Sequence, residues 1–133
     1  RLPDFKEINF KKYTGHSSWI GDWLKYSSYK YAIKGTKIIC TKTPHNNYWD
    51  AKVGKYHFNI NDFLSHYNKK ERNIAAIIDF NTSDQYYKPS NIHHEFKVKY
   101  FKYPLYPKKI PSDEKILEIC TLLDSLAEKF PKE

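Results

Sequence analysis

An α/β sandwich is what this sequence predicts, and three features predict it. The run Ile74-Ala75-Ala76-Ile77-Ile78-Asp79-Phe80 is continuously apolar up to its aspartate, as in a strand covered on both faces of a parallel sheet. Phe96 to Tyr103 alternates between two sides, with Phe96, Val98, Tyr100 and Lys102 on one and Lys97, Lys99, Phe101 and Tyr103 on the other. Between Ser112 and Phe130 the apolar set Ile116, Leu117, Ile119, Cys120, Leu123, Leu126 and Phe130 recurs at helical spacing.

Taken in chain order, residues 1–35 carry rings at Phe5, Phe10, Trp19, Trp23, Tyr26, Tyr29 and Tyr31 without a clean period, and form an aromatic N-terminal arm packed over a core. Residues 36–133 form the α/β part. A first strand is expected over Thr36–Lys42, which is β-prone and closed by Thr43-Pro44, because proline cannot continue a ladder. His45 to Gly54 is a polar loop. A helix capped by Asn59 or Asn61 runs to Asn68, with Ile60, Phe63, Leu64 and Tyr67 on one side. The Ile74–Phe80 strand belongs at the sheet centre and runs into the turn-forming cluster Asn81–Gln85. The Phe96–Tyr103 strand lies near the margin and is stopped by Pro104, Pro107 and Pro111. Ser112 caps the last helix, whose positive N-terminal end suits Asp113 and Glu114. The alternation of strand and helix calls for one more strand after it.

At 133 residues the chain is sized for one domain, and 40% apolar with 17% aromatic residues is too much buriable surface for a disordered segment. The net charge of +8 comes almost entirely from lysine, since Arg1 and Arg72 are the only arginines. Such a field favours encounters with polyanions such as RNA. Cys40 and Cys120 stand eighty positions apart, with no Cys-x-x-Cys spacing and no disulfide framework, which fits a reducing, intracellular setting, nucleus or cytoplasm. His16, His45, His57, His66, His93 and His94 include no His-x-x-x-His pair, so no metal and no cofactor is expected. No apolar run is long enough to span a bilayer, and a membrane partner is not expected. Arg1 as first residue suggests a trimmed or excised chain.

Three blocks then carry a resemblance: Trp23-Leu24-Lys25-Tyr26, the stretch from Ile33 to Pro44 ending Cys40-Thr41-Lys42-Thr43-Pro44, and above all Ile78-Asp79-Phe80-Asn81-Thr82-Ser83-Asp84-Gln85-Tyr86-Tyr87. In this order they resemble the cysteine-dependent RNA 5′-triphosphatases, a family that includes the triphosphatase domain of mRNA-capping enzymes, the baculovirus RNA phosphatase and the dual-specificity phosphatase associated with RNA–protein complexes. The resemblance runs from residue 23 to 130. It departs at Thr41, where the family has Phe, at His45, where it has Leu, and at Tyr106-Pro107, where it has a Gly-containing pair. The resemblance implies a cysteine-phosphatase-like sheet with flanking helices, incomplete on its C-terminal side. It also implies hydrolysis of the RNA 5′ phosphoric anhydride through a phosphocysteine, without metal.

That chemistry needs a thiolate activated by a helix N-terminus or by cations, and a guanidinium gripping the phosphate oxygens. The family supplies both in a His-Cys-x-x-x-x-x-Arg loop. Here Asn46 stands six positions after Cys40 and Leu126 six after Cys120, so neither cysteine has its arginine. Cys40 is therefore expected to be a small buried strand residue and Cys120 a helix core residue, and no catalytic residue is assigned within this chain. Asp79, Asn81, Thr82, Tyr86 and Tyr87 are expected to line the cleft; Asp79 either acts as general acid or caps the Asn81–Gln85 turn. Lys42, Lys88, Lys108 and Lys109 are the candidates for RNA phosphate contact, against the simpler reading of solvated surface.

Two classes of function stay open. One is the front part of an RNA 5′-phosphatase, inactive alone, completed by a C-terminal continuation or a second chain that supplies the absent central strand and loop. The other is a non-catalytic, pseudophosphatase-like module binding RNA or a protein partner, with protein tyrosine phosphatase chemistry as a weaker third.

Overall fold

The computed structural model describes residues 23–26, 31–70 and 72–131. The chain clusters into two compact units, Arg1–Asn59 and Ile60–Glu133. Of the aromatic arm, only Trp23–Tyr26 and Tyr31–Gly35 fall among the described residues.

In the first unit the expected strand over Thr36–Lys42 does not form. Its opening residues are spent on a local turn instead. Gly35 takes a positive φ of 79°, the Ile33 N–H donates to Ile38 O at 2.8 Å, and the Thr36 N–H donates to Ile33 O at 2.9 Å. With those groups satisfied within the turn, the β-propensity of this stretch finds no partner strand among the described residues. Cys40, expected to be buried in that strand, is exposed. The polar loop after Pro44 is shaped by short turns: a 3-10 turn Asn47–Trp49, the single turn α1 (Asp50–Val53) and a second 3-10 turn Gly54–Tyr56. The Asn46 side chain starts the first by accepting from the Tyr48 N–H, and Gly54, at φ 56°, ends α1 in the left-handed region that a residue without Cβ enters freely. Among the described residues of this unit Trp23, Leu24, Val53 and Phe58 are buried, and His45 and Asn59 are buried as well.

The second unit opens with α2 (Ile60–Lys69), as the spacing of Ile60, Phe63, Leu64 and Tyr67 requires, and all four are buried. Asn61 lies inside this helix rather than at its cap. Its side chain clamps a later segment, with Nδ2 donating to Asn91 O at 2.8 Å and Oδ1 accepting from the His93 N–H at 2.9 Å. Two strands follow, β1 (Ala76–Asp79) and β2 (Lys99–Lys102), paired parallel in the register Ala76↔Lys99, Ile77↔Tyr100, Ile78↔Phe101 and Asp79↔Lys102. The ladder runs on past both strands, since the Tyr103 N–H donates to Asp79 O and the Leu105 N–H to Phe80 O. β2 starts later than the alternation suggests, because His94–Phe96 closes a 3-10 turn with Lys97 at φ 52°. Parallel strands need a long crossover, and this one is built from turns, with Pro89–Asn91 forming another 3-10 turn.

The described architecture is thus mixed helix and parallel sheet, an α/β arrangement. Among the described residues β1 pairs with β2 alone, so the central place expected for it is not what is seen there. The last helix, α3 (Asp113–Lys129), is capped as expected, with the Ser112 side chain accepting from the Lys115 N–H at 3.2 Å. Its apolar face is not enclosed: no α3 residue is buried, Leu117 is 67% and Ile116 42% exposed, and Cys120, expected in a helix core, is exposed. No described helix is long and apolar enough to cross a membrane.

Candidate functional site

A polar cluster of the second unit sits where β1 ends. Parallel register places Lys102 beside Asp79, and the two-residue period puts Tyr100 on the same face as Lys102. The Asp79 side chain is almost fully enclosed, and both its oxygens accept. Oδ2 takes the Tyr100 hydroxyl at 2.5 Å and Lys102 Nζ at 3.2 Å; Oδ1 takes the Asn81 N–H and Asn81 Nδ2, each at 2.9 Å. Four donors fill the acceptor directions a carboxylate offers. Lys102 reaches further, to Ser83 O at 3.0 Å and Asp84 Oδ1 at 3.4 Å, so one lysine ties the strand end to the turn that follows.

Tyr87 closes the cluster. It is buried and meets Tyr100 edge to face, with centroids 6.1 Å apart. Burial, then the charge of Asp79, holds the Tyr87 phenol well above its ordinary value. Burial and the hydrogen bond to Asp79 do the same for Tyr100, which therefore stays a donor. The chemical character of this arrangement is a preformed loop anchor. Both Asp79 oxygens are already engaged, which favours the turn-capping role of Asp79 over that of general acid.

No protein-family model and no curated protein matches this chain.

Of the residues expected to line a cleft, the structure therefore brings together Asp79, Asn81 and Tyr87, while Thr82 is exposed and Tyr86 half-buried. Tyr100 and Lys102 complete the cluster and were not assigned to it from the sequence. The signal was present: alternation puts both on one side of the second strand, and a parallel pairing ending at Asp79 aligns them with it.

Of the four candidate lysines, Lys88, Lys108 and Lys109 belong to the second unit. Lys88 is exposed, and its backbone N–H donates to Asn91 Oδ1 at 2.7 Å. Lys108 is exposed at φ 62°, and Lys109, also exposed, lies 5.6 Å from the Tyr106 ring. Lys42 belongs to the first unit and is half-buried, with Nζ 3.6 Å above the Trp23 ring, 5.8 Å from the Phe58 ring and 3.5 Å from Trp23 O. Trp23 is itself fixed by donating Nε1–H to Thr43 O at 2.7 Å. Burial pushes the Lys42 amine down to about 8. Among the described residues no group of three or more His, Cys, Asp or Glu side chains is placed to hold a metal.

Proposed function

We propose that these residues form the front part of a cysteine-phosphatase-like α/β domain acting on RNA 5′ phosphates, and that they do not carry out the reaction by themselves. The observation that carries this reading is the anchored loop at the carboxyl ends of β1 and β2. The block Ile78–Tyr87, on which the family resemblance rests, is organised around Asp79 at the end of a parallel strand pair, the part of an α/β sheet where ligands are held. The reading assigns this loop to framing a cleft. It assigns the nucleophilic thiolate and the phosphate-gripping arginine to residues outside this sequence, from a continuation of the polypeptide or from a second one. The exposed Ile116 and Leu117 of α3 and Phe80 after β1 support a further covering element.

The test is release of the γ-phosphate from triphosphate-ended RNA. The homogeneous 133-residue chain is expected to release none above buffer. The same chain joined to, or mixed with, a segment bearing His-Cys-x-x-x-x-x-Arg is expected to release it through an acid-trappable phosphocysteine, and a Cys→Ser change in that segment abolishes release. Turnover by the isolated chain refutes the placement of the chemistry. A coding sequence with no such loop downstream and no complementing chain turns the reading to a non-catalytic module. Equal affinity for 5′-triphosphate and 5′-hydroxyl RNA rejects recognition of the RNA end.

A further inference from the structure

In the first unit a buried histidine carries the closure of a loop. His45 is 1% exposed, and its backbone N–H donates to Phe58 O at 3.0 Å. Its ring returns the contact. Nε2 accepts the Phe58 N–H at 2.6 Å, while Nδ1 faces Asn46 O at 2.9 Å and Asp50 Oδ1 at 3.3 Å. Two acceptors face one ring nitrogen and a donor faces the other, which selects the neutral tautomer with its proton on Nδ1.

A second proton has only Nε2 to bind, and there it points straight at a backbone N–H. The imidazolium is therefore disfavoured while the loop is closed: binding the second proton displaces the Phe58 N–H, and a buried donor that leaves its acceptor must find water. We infer that His45 is a proton-operated latch on the His45–Asn59 loop, closed by the neutral ring and opened by the imidazolium.

The surrounding charges do not reverse this. The Asp50 carboxylate favours a charged ring, but it faces Nδ1, which carries a proton in either state, and its side chain is 41% exposed, where solvent weakens the attraction. His57 and Lys42 oppose a new positive charge, and burial opposes it most, so the ring titrates below its ordinary 6.5. Opening has a defined consequence. Trp23 lies 5.7 Å from the His45 ring and 6.4 Å from that of Phe58, and Lys42 rests on both Trp23 and Phe58. Releasing Phe58 takes away part of the ring platform that holds the Lys42 ammonium, so acid frees a cation that neutral pH keeps covered.

The open loop binds a proton at the ordinary histidine value and the closed loop only below it, so closure is complete above 6.5 and is lost as pH falls from there towards the closed-state value. The experiment is NMR on the full chain: ring nitrogen shifts of His45 and hydrogen-exchange protection of the Phe58 amide, corrected for intrinsic exchange. The expected result is the Nδ1–H tautomer at neutral pH and Phe58 protection flat above 6.5. Below that pH, protection drops about tenfold per pH unit until His45 itself is protonated in the closed state, while amides of α2 stay protected. His45→Leu is expected to lower Phe58 protection at every pH and abolish the slope. An Nε2–H tautomer overturns the inference, as does constant Phe58 protection through the His45 titration, or loss of α2 protection in step with Phe58. The wild-type measurements decide the matter even where the leucine variant does not fold.

Discussion

Replacing Asp79 by alanine tests whether the cluster at the end of β1 is an anchor. The substitution withdraws both oxygens from four donors. Their losses are unequal. Lys102 keeps Ser83 O and Asp84 and is 24% exposed, so its share is small. The Asn81 side chain is only half-buried and can turn to water. The Tyr100 bond to a charged acceptor and the Asn81 backbone bond carry most of the effect, and at about 1.5–3 and about 1 kcal/mol they add to roughly 3 kcal/mol with the small lysine share included.

Urea unfolding followed by circular dichroism measures this directly, with the change read as a midpoint shift at constant slope. Asp79→Asn, which keeps one acceptor oxygen, is expected to cost about half as much, and Thr82→Ala, at an exposed position, less than about 0.5 kcal/mol. Tyr100→Phe on its own is expected to cost about 1.5 kcal/mol and to cost almost nothing more once Asp79 is alanine, because the two share one bond. An Asp79→Ala chain that unfolds within about 1 kcal/mol of the native one refutes the anchor, as do two changes that simply add.

Asn61→Ala removes both hydrogen bonds between α2 and the Asn91–His93 segment; it is expected to cost about 1–2 kcal/mol in the same assay and to speed exchange of the His93 amide without affecting β2 amides. Lys42 is expected to titrate at about 8 by carbon NMR of its side chain, well below the ordinary 10.5; a value at or above 10.5 shows that the attraction of the Trp23 ring outweighs burial. Because the folded chain binds that proton less readily than the unfolded one, Lys42 adds stability as pH rises from about 8, and Lys42→Met is expected to remove that rise.

Local pattern was enough to place α2 and α3, because each announces itself within its own residues: an i, i+3, i+4, i+7 apolar set in one, and a serine cap with acidic first turn in the other. It also marked both strands of the parallel pair, though β2 begins three residues late, where Lys97 adopts a left-handed turn that alternation does not encode. Thr36–Lys42 shows the opposite case. Its composition suits a strand, but a strand is a relation between two segments, and a turn between Ile33 and Ile38 satisfied those backbone groups first.

Residue type and spacing by themselves determined that neither cysteine has an arginine at the distance a phosphate cradle needs, that the positive charge is lysine, and that Asp79 ends an apolar run. Only the tertiary structure decided what those residues touch. Parallel register brought Tyr100 and Lys102 onto Asp79, and closure of a loop between positions 13 apart in sequence buried His45 against the Phe58 N–H. The physical reason is range: propensity, capping and periodicity act over a few residues, whereas these contacts depend on where distant backbone segments meet, which no short window of sequence records.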